Sequence, residues 1–188
     1  MKKTVIDRYE MTDRREAVID ISVSSVDRLY NDFDKTAPYH RKELEEEFVA
    51  YITDCVREIG RHPFIVRISL EVMPDAGLME RVRNSINGYY LYLKDIELRS
   101  LHRMFRRFGI LFVVGLVLLV LAILAARGLS SQEGVMAEVF AQGLTIAAWI
   151  SLWESVAGIL LEWGPRIEHI KLCNRIIQAT VIFRRLPS

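Results

Sequence analysis

Two long apolar stretches stand out in the second half of the chain. The first, residues 108–126, reads FGILFVVGLVLLVLAILAA and contains no charged residue. As a helix it rises roughly 28 Å, which matches the hydrocarbon thickness of a bilayer. The second, residues 139–163, is also long enough to span but carries several polar side chains. Both are predicted to be transmembrane helices, and a buried amphipathic helix of a soluble domain is the competing interpretation of the second.

The residues that flank these stretches predict how the chain crosses the membrane. Only residues 127–138 connect the two, so an antiparallel hairpin with an external loop is expected. The other ends are basic: Arg99, Arg103, Arg106 and Arg107 precede the first stretch, and Arg166, Lys171 and Arg175 follow the second. The connecting residues contain only Arg127. The positive-inside rule therefore predicts a multi-pass protein of the cell inner (cytoplasmic) membrane with both termini in the cytosol.

A small cytosolic α/β domain is predicted over residues 17–77. Apolar and polar residues alternate along residues 64–72, which is typical of a strand with one buried face. Residues 17–23 are rich in β-branched side chains and predict another strand. Between the two strands, residues 40–59 carry apolar side chains at helical spacing. This order predicts parallel strands joined by a right-handed helical crossover.

The remaining segments complete the predicted fold. Residues 78–107 have helical periodicity and predict a stalk helix that continues into the first span. Pro165 is expected to end or kink the second span. Residues 164–188 then predict a cytosolic helix and a strand that complete the α/β domain, whereas residues 1–16 are expected to be a mobile tail. The predicted fold class is an α+β membrane protein with a two-helix transmembrane hairpin, a long stalk helix and a small cytosolic α/β domain.

Composition and charge exclude several classes of protein. Hydrophobic residues make up 51% of the 188 residues, charged residues make up 26%, and the formal net charge is +1. That balance excludes a disordered chain and supplies no overall field that would attract nucleic acid. The sequence contains no phosphate-binding glycine loop, nucleophile elbow or zinc-protease motif. We therefore expect neither an enzyme nor a bound cofactor or metal.

Glu154 is the candidate site residue that most needs an explanation, because it lies near the middle of the second span. A carboxylate there costs about 2.5 to 3.5 kcal/mol on insertion scales, so it must be paired, protonated or in water. In an antiparallel hairpin, a snorkelling Arg106 or Arg107 would reach Glu154 or, more easily, Glu162. In the alternative, Glu154 lines an ion path in an oligomer together with Ser151. A protonated Glu154, hydrogen-bonded between helices, is the third hypothesis.

Small residues recur along the second span at four-residue steps: Gly143, Ala147, Ser151 and Ser155, with Gly158 beside them. Such a stripe lets another helix approach closely. The face is therefore predicted to pack against the first span or against a neighbouring subunit.

Cysteine and histidine residues are interpreted structurally. His169 and Cys173 lie four residues apart on a predicted helix, a spacing compatible with two metal ligands, but a packed helix face is the preferred interpretation. Cys55 lies on the apolar face of its helix and is expected to be a buried free thiol.

The segment SLWES…ILLEWGPR…KLCNRI, from Ser151 to Ile176, together with the strand–helix–strand front half, resembles a family of uncharacterised prokaryotic two-span membrane proteins. The resemblance covers most of the chain and implies no activity. The pair Trp153-Glu154 in a two-span hairpin is also similar in architecture to the mitochondrial calcium uniporter, which carries a Trp-Asp…Glu-Pro signature. Here the glutamate followed by a proline is Glu162, at the cytoplasmic end of its span, so no residue role is transferred.

Two functions are consistent with these features. A two-helix hairpin buries little surface in lipid and leaves Glu154 poorly satisfied, so a homo-oligomer is expected. The first hypothesis is a membrane-anchored assembly or scaffold that acts through its cytosolic α/β domain, binding itself or a cytosolic protein. The alternative is an oligomeric cation channel or transporter with Glu154 lining the path. The expected partners are thus the lipid bilayer, further copies of the chain and a cytosolic protein, but not nucleic acid.

Overall fold

The computed structural model describes residues 5–34, 37–39, 41–129 and 135–186. These residues form two compact units. The first, which we call the sheet unit, combines Met1–Asp95 with His169–Ser188. The second, which we call the helix-pair unit, is Ile96–Glu168. Five of the twelve residues of the predicted external loop, residues 130–134, lie outside the described residues.

The sheet unit contains a four-stranded mixed sheet. The strands are β1 (Glu10–Met11), β2 (Ala17–Val23), β3 (Phe64–Leu70) and β4 (Thr180–Arg185), and they lie in the order β1-β2-β3-β4. β2 and β3 are parallel, β3 and β4 are parallel, and β1 is antiparallel to β2. The predicted parallel pair and the predicted C-terminal strand are therefore confirmed, within a mixed α+β fold.

Three α-helices accompany the sheet. They are α1 (Glu46–Ile59), α2 (Ala76–Leu129) and α3 (Val135–Gln178). The predicted stalk and first span form the single helix α2, as expected. The predicted second span and the predicted C-terminal helix also form a single helix, α3, which continues through Pro165. Proline lacks the N–H that would bond to the carbonyl of Leu161, so this turn lacks one hydrogen bond but does not end the helix.

Helix α1 begins later than the sequence predicts, at Glu46 instead of residue 40. Leu44 forms an antiparallel bridge with Tyr30, and the Glu45 N–H bonds to the Leu29 carbonyl at 2.9 Å. Residues just before Glu46 are thus held in an extended conformation, which delays the start of the helix. Residue 40 itself lies outside the described residues.

The segment predicted as a mobile tail contains regular structure. Val5–Arg8 form a 3-10 helix, and Glu10–Met11 form β1 with Glu10 opposite Val18. The side chain of Tyr9 donates a hydrogen bond to Glu58 of α1 at 2.9 Å. The Tyr9–Glu58 hydrogen bond joins segments far apart in the sequence, and β1 is only two residues long, so local periodicity predicts neither.

One face of the sheet carries the core of the sheet unit. Alternate residues of β2 and β3 point into it, as the period of two in these strands requires. The three helices cover the same face with the apolar residues Ile52, Val56, Val82, Ile86, Tyr90, Leu172 and Ile176. The other face of the sheet carries the opposite set of residues, including Asp20 and Arg67.

The C-terminal end of α3 is fastened to the turn between α1 and β3. Arg175 donates hydrogen bonds to the backbone carbonyls of Val56 at 3.2 Å, of His62 at 2.7 Å and of Gly60. Its guanidinium also lies 5.0 Å from the centre of the Phe64 ring. Gly60 has a φ of +66°, which suits glycine at a helix end. Burial lowers the pKa of Arg175, but the carbonyls supply the acceptors that its charge requires.

Candidate functional site

The helix-pair unit is held together by close contacts between α2 and α3. The Ser155 hydroxyl donates a hydrogen bond to the Phe108 carbonyl at 2.7 Å, and both residues are buried. A Cβ added at Gly158 would clash with the Phe108 ring, and one added at Gly115 would lie 2.9 Å from Leu152. Later residues of α3 meet earlier residues of α2, so the two helices are antiparallel. Glycines on both helices thus admit a large side chain from the partner helix.

The buried positions follow a seven-residue repeat. Within the helix-pair unit, the buried residues of α2 are Met104, Phe108, Gly115 and Ala122, and those of α3 include Ala148 and Ser155. Steps of four and seven residues keep side chains on one side of a helix when two helices wrap around each other with a left-handed twist. We call this row of contacts the seam. Its members are mostly small, which lets the helix backbones approach closely.

The outside of the helix pair is apolar. Trp149 is 64% exposed, Trp153 is 73% exposed and Leu161 is 75% exposed, and valines, leucines and isoleucines of α2 are exposed in the same way. Both helices contain stretches that are long and apolar enough to span a membrane. Large apolar side chains that point outwards are typical of helices surrounded by lipid.

Glu154 lies on this exposed surface. It follows Trp153 and precedes the seam residue Ser155, and successive residues of a helix are turned by about 100°. Its side chain therefore points away from the seam and is exposed. Within the described part of the chain, no hydrogen bond or ion pair involves the Glu154 carboxylate. The described residues of the helix pair therefore supply no partner for this carboxylate.

The structure pairs Glu162 differently from the sequence-based expectation. Its partner is Arg166, one turn further along α3, at 3.5 Å. Arg166 also lies 3.9 Å from Glu97 of α2 and donates a hydrogen bond to Ser100. This cross-helix connection forms because α3 continues through the proline and keeps Arg166 in register with Glu162.

The two arginines expected as partners have other positions. Arg106 and Arg107 are both exposed, and the Arg107 guanidinium lies 5.6 Å from the centre of the Phe108 ring. Neither forms an ion pair within the residues that the structure describes. The expected ion pair of Arg106 or Arg107 with Glu154 or Glu162 is therefore not found among the described residues. Glu162 pairs with Arg166 instead.

The predicted stripe of small residues divides between two environments. Ser155 and Gly158 lie at the seam, whereas nothing lies within 4 Å of a Cβ built at Gly143. Ala147 is half-buried, and the Ser151 hydroxyl bonds at 2.9 Å to the Ala147 carbonyl of its own helix. A stripe of four-residue steps turns by about 40° at each step, so it cannot follow a seven-residue seam over its whole length.

A second candidate site is a groove in the sheet unit, with a cavity volume of about 430 Å³. Arg67 of β3 reaches across the sheet to Asp20 of β2 at 2.8 Å and also pairs with Glu10 of β1. Hydrogen bonds from Arg67 lower the pKa of both carboxyl groups. Cys55 lies on the wall formed by α1, and burial raises the pKa of Tyr9 nearby.

The groove residues largely satisfy one another. Arg8 lies 3.7 Å from Glu58, and Asp54 pairs with Arg57 at 2.7 Å. Among the described residues, no group of histidine, cysteine and acidic side chains has a geometry that would hold a metal ion. Cys55 and Cys173 are both buried, and no disulfide joins them. The groove therefore ties β1 and the 3-10 helix to the sheet, and we assign it a structural role.

Comparison with protein-family models finds no matching family, and comparisons with curated proteins and with solved structures find no match. The resemblance to a two-span prokaryotic family stays a prediction.

Proposed function

We propose that this protein is a two-span integral membrane protein that self-associates in the cytoplasmic membrane and holds its sheet units together as a scaffold in the cytosol. The basic residues at the inner ends of both spans and the lack of lysine or arginine over residues 128–138 support this orientation. Membership of the two-span prokaryotic family belongs to the same proposal and rests on residues 151–176.

The observation that carries the proposal is the exposed carboxylate of Glu154 on an otherwise apolar surface. A lone carboxylate facing lipid is costly, and no described residue of its own subunit pairs with it. A second copy places another Glu154 opposite the first. Two carboxyl groups that share one proton carry a single charge and form a strong hydrogen bond. Self-association thus lowers the cost of charge in lipid from one carboxylate per subunit to one per pair of subunits.

The surroundings of Glu154 are suited to a second helix. Gly143, Ala147, Ile150 and Glu154 follow one another at steps of four, three and four residues. This is the spacing of the seam, on a side of α3 that the seam does not use. We call these four residues the outer face of α3. Its glycine and alanine permit close approach of a neighbouring helix.

The proposal is tested by counting subunits of the full chain in detergent or nanodiscs by native mass spectrometry. Wild-type protein should form an oligomer of fixed size. Gly143→Leu should dissociate it, since a leucine separates the two helices. Gly109→Leu is the matched control, because a Cβ at Gly109 also meets nothing within 4 Å but lies on α2, away from the outer face. A monomeric wild type, or equal dissociation by both variants, would contradict the proposal.

A cation channel is the second candidate, and the direction of Glu154 out of its own helix pair favours it. A closed ring of four or more subunits would place several Glu154 carboxylates around one axis, as in the acidic rings of cation channels. Liposome flux assays of wild type and Glu154→Gln distinguish the two functions. Flux that falls in Glu154→Gln, with subunit number unchanged, supports the channel. Absence of flux in both proteins leaves the scaffold.

A further inference from the structure

The sheet has two edges of different length. β1 contains two residues, whereas β4 contains six, from Thr180 to Arg185. In a strand, the backbone groups of alternate residues point to opposite edges. The Leu186 N–H bonds to the Leu70 carbonyl at 2.8 Å, so the even-numbered residues of β4 point toward β3. The backbone groups of Val181, Phe183 and Arg185 therefore point outwards, as a template for another strand.

This edge is only partly protected. The Arg83 side chain donates a hydrogen bond to the Val181 carbonyl at 3.2 Å and thereby occupies the first outward acceptor. Within the described residues, the outward groups of Phe183 and Arg185 have no backbone partner. Backbone groups of this kind supply the affinity when an extended peptide adds to a sheet.

A cavity of about 380 Å³ lies beside the first half of β4. Ile86 of α2, Ile176 of α3 and Val181 of β4 contribute apolar walls, and Arg83 and Asn87 add polar groups. Side chains of an added strand alternate between the two faces of the sheet. The cavity is therefore placed to receive an apolar side chain of a strand that pairs with β4.

The positive charge along the outer edge of β4 favours one kind of added strand. Arg83, Arg184 and Arg185 lie along it, and none of them forms an ion pair within the described part of the chain. A second copy of β4 would bring six arginines together along one line of pairing. An acidic strand would neutralise the charge instead.

We propose that the outer edge of β4 binds an extended acidic segment of a partner protein by strand addition, with an apolar side chain of that segment in the cavity beside Val181. This inference deepens the proposed scaffold function by naming a class of cytosolic partner. It does not require self-association, because each sheet unit carries its own edge. Failure of one proposal is therefore visible without failure of the other.

Fluorescence anisotropy of the full chain in nanodiscs tests the proposal with a labelled peptide of alternating glutamate and valine. Controls are a lysine–valine peptide of equal length and the glutamate–valine peptide with every backbone amide N-methylated. We expect binding of the first peptide only. N-methylation should weaken it at least about tenfold, since the methylated backbone cannot donate to the edge. This comparison leaves the protein unaltered.

Charge reversal provides the second measurement. Arg184→Glu together with Arg185→Glu should weaken glutamate–valine binding about tenfold or more. Arg28→Glu with Arg61→Glu changes the net charge equally at exposed arginines elsewhere in the sheet unit and should leave binding unchanged. Circular dichroism checks that both variants are folded.

Three results would overturn the inference. Equal binding of the N-methylated peptide would show simple charge attraction. Equal loss in both charge-reversed variants would show that the edge is not the site. Binding of anionic vesicles by the sheet unit that Arg184→Glu with Arg185→Glu abolishes, without peptide binding, would assign the arginines to lipid.

Discussion

In the sheet unit, Ile19, Ile52 and Ile68 are almost wholly buried, whereas in the helix-pair unit Trp153 and Leu161 are about three-quarters exposed. The buried positions of the helix pair are instead taken largely by glycine, alanine and serine. Water drives large apolar residues into a core, but lipid does not. The contrast agrees with our proposal that the helix pair lies in a membrane, where contacts between helices depend on close packing. The two units should therefore differ in how they respond to loss of a large apolar side chain, and four predictions test what stabilises each unit.

The largest effect is expected for removal of a large core side chain. Ile52→Ala in the sheet unit leaves a cavity at a fully buried position and should cost about 2 to 5 kcal/mol of stability. Leu161→Ala, at a side chain that is 75% exposed in the helix pair, should cost almost nothing. Hydrogen exchange of the sheet unit and thermal unfolding of the full chain in detergent measure both. Equal losses would remove the contrast between the units.

Addition of a single methyl group to the helix pair should be costly only where the two helices meet. Gly158→Ala places a Cβ against the Phe108 ring and should cost about 1 to 3 kcal/mol through overpacking. Gly109→Ala meets nothing within 4 Å and should be neutral or slightly stabilising. Tryptophan fluorescence during thermal unfolding is suitable, since Trp149, Trp153 and Trp163 all lie on α3. A Gly158→Ala variant as stable as wild type would contradict the described packing.

The hydrogen bond across the helix pair is expected to contribute less. Ser155→Ala removes the bond to the Phe108 carbonyl and should cost about 0.6 kcal/mol, the average for such bonds between membrane helices. Ser151→Ala removes only a bond within α3 and serves as the control. The same unfolding measurement compares them, and a larger loss for Ser151→Ala would reverse our assignment of the seam.

The smallest effect on stability is expected on the face of the sheet opposite its core, and it depends on pH. Asp20→Asn removes a partly exposed ion pair with Arg67 and should cost roughly 0.2 to 1 kcal/mol at pH 7. Arg67 lowers the pKa of Asp20 in the folded state, so the contribution is complete above the unfolded-state pKa of about 3.9. It is lost as pH falls through the lower folded-state pKa. Wild type and Asp20→Asn should therefore converge in acid, and a constant difference down to low pH would refute the pair.

The sequence predicts well those features that depend on local periodicity. Alternation identifies the strand Phe64–Leu70, apolar spacing identifies α1, and a long run of helical periodicity identifies α2. The order of these elements predicts the parallel strands. The short strand Glu10–Met11 has no such signal, because two residues are too few to show an alternation, and the Arg67 that pairs with Glu10 is distant in sequence. The periodicity of a single sequence carries no information on contacts between remote segments.

The candidate site was predicted only in part, and each difference has a physical reason. Pro165 was expected to end or kink the second span, so Arg166 was assigned to the following segment and not considered as a partner of Glu162, although the two form an ion pair in the continuous helix. Four-residue spacing suggested one packing face, whereas the seam follows seven residues and leaves Gly143 outside. Gly115 was not singled out, since its importance becomes visible only with Leu152 of the other helix opposite it.

The discontinuity of the sheet unit determines the order in which the protein is completed during synthesis. β3 has β2 on one side from early in the chain, but its other neighbour, β4, follows both long helices. The carbonyls around Gly60 likewise receive their hydrogen bonds from Arg175 only after the end of α3 has been made. When the ribosome has made residues up to 95, the nascent sheet therefore still presents an open strand. β4 can pair with this strand only after both long helices have been translated. A chain truncated before Thr180 therefore leaves β3 exposed for recognition by chaperones and proteases.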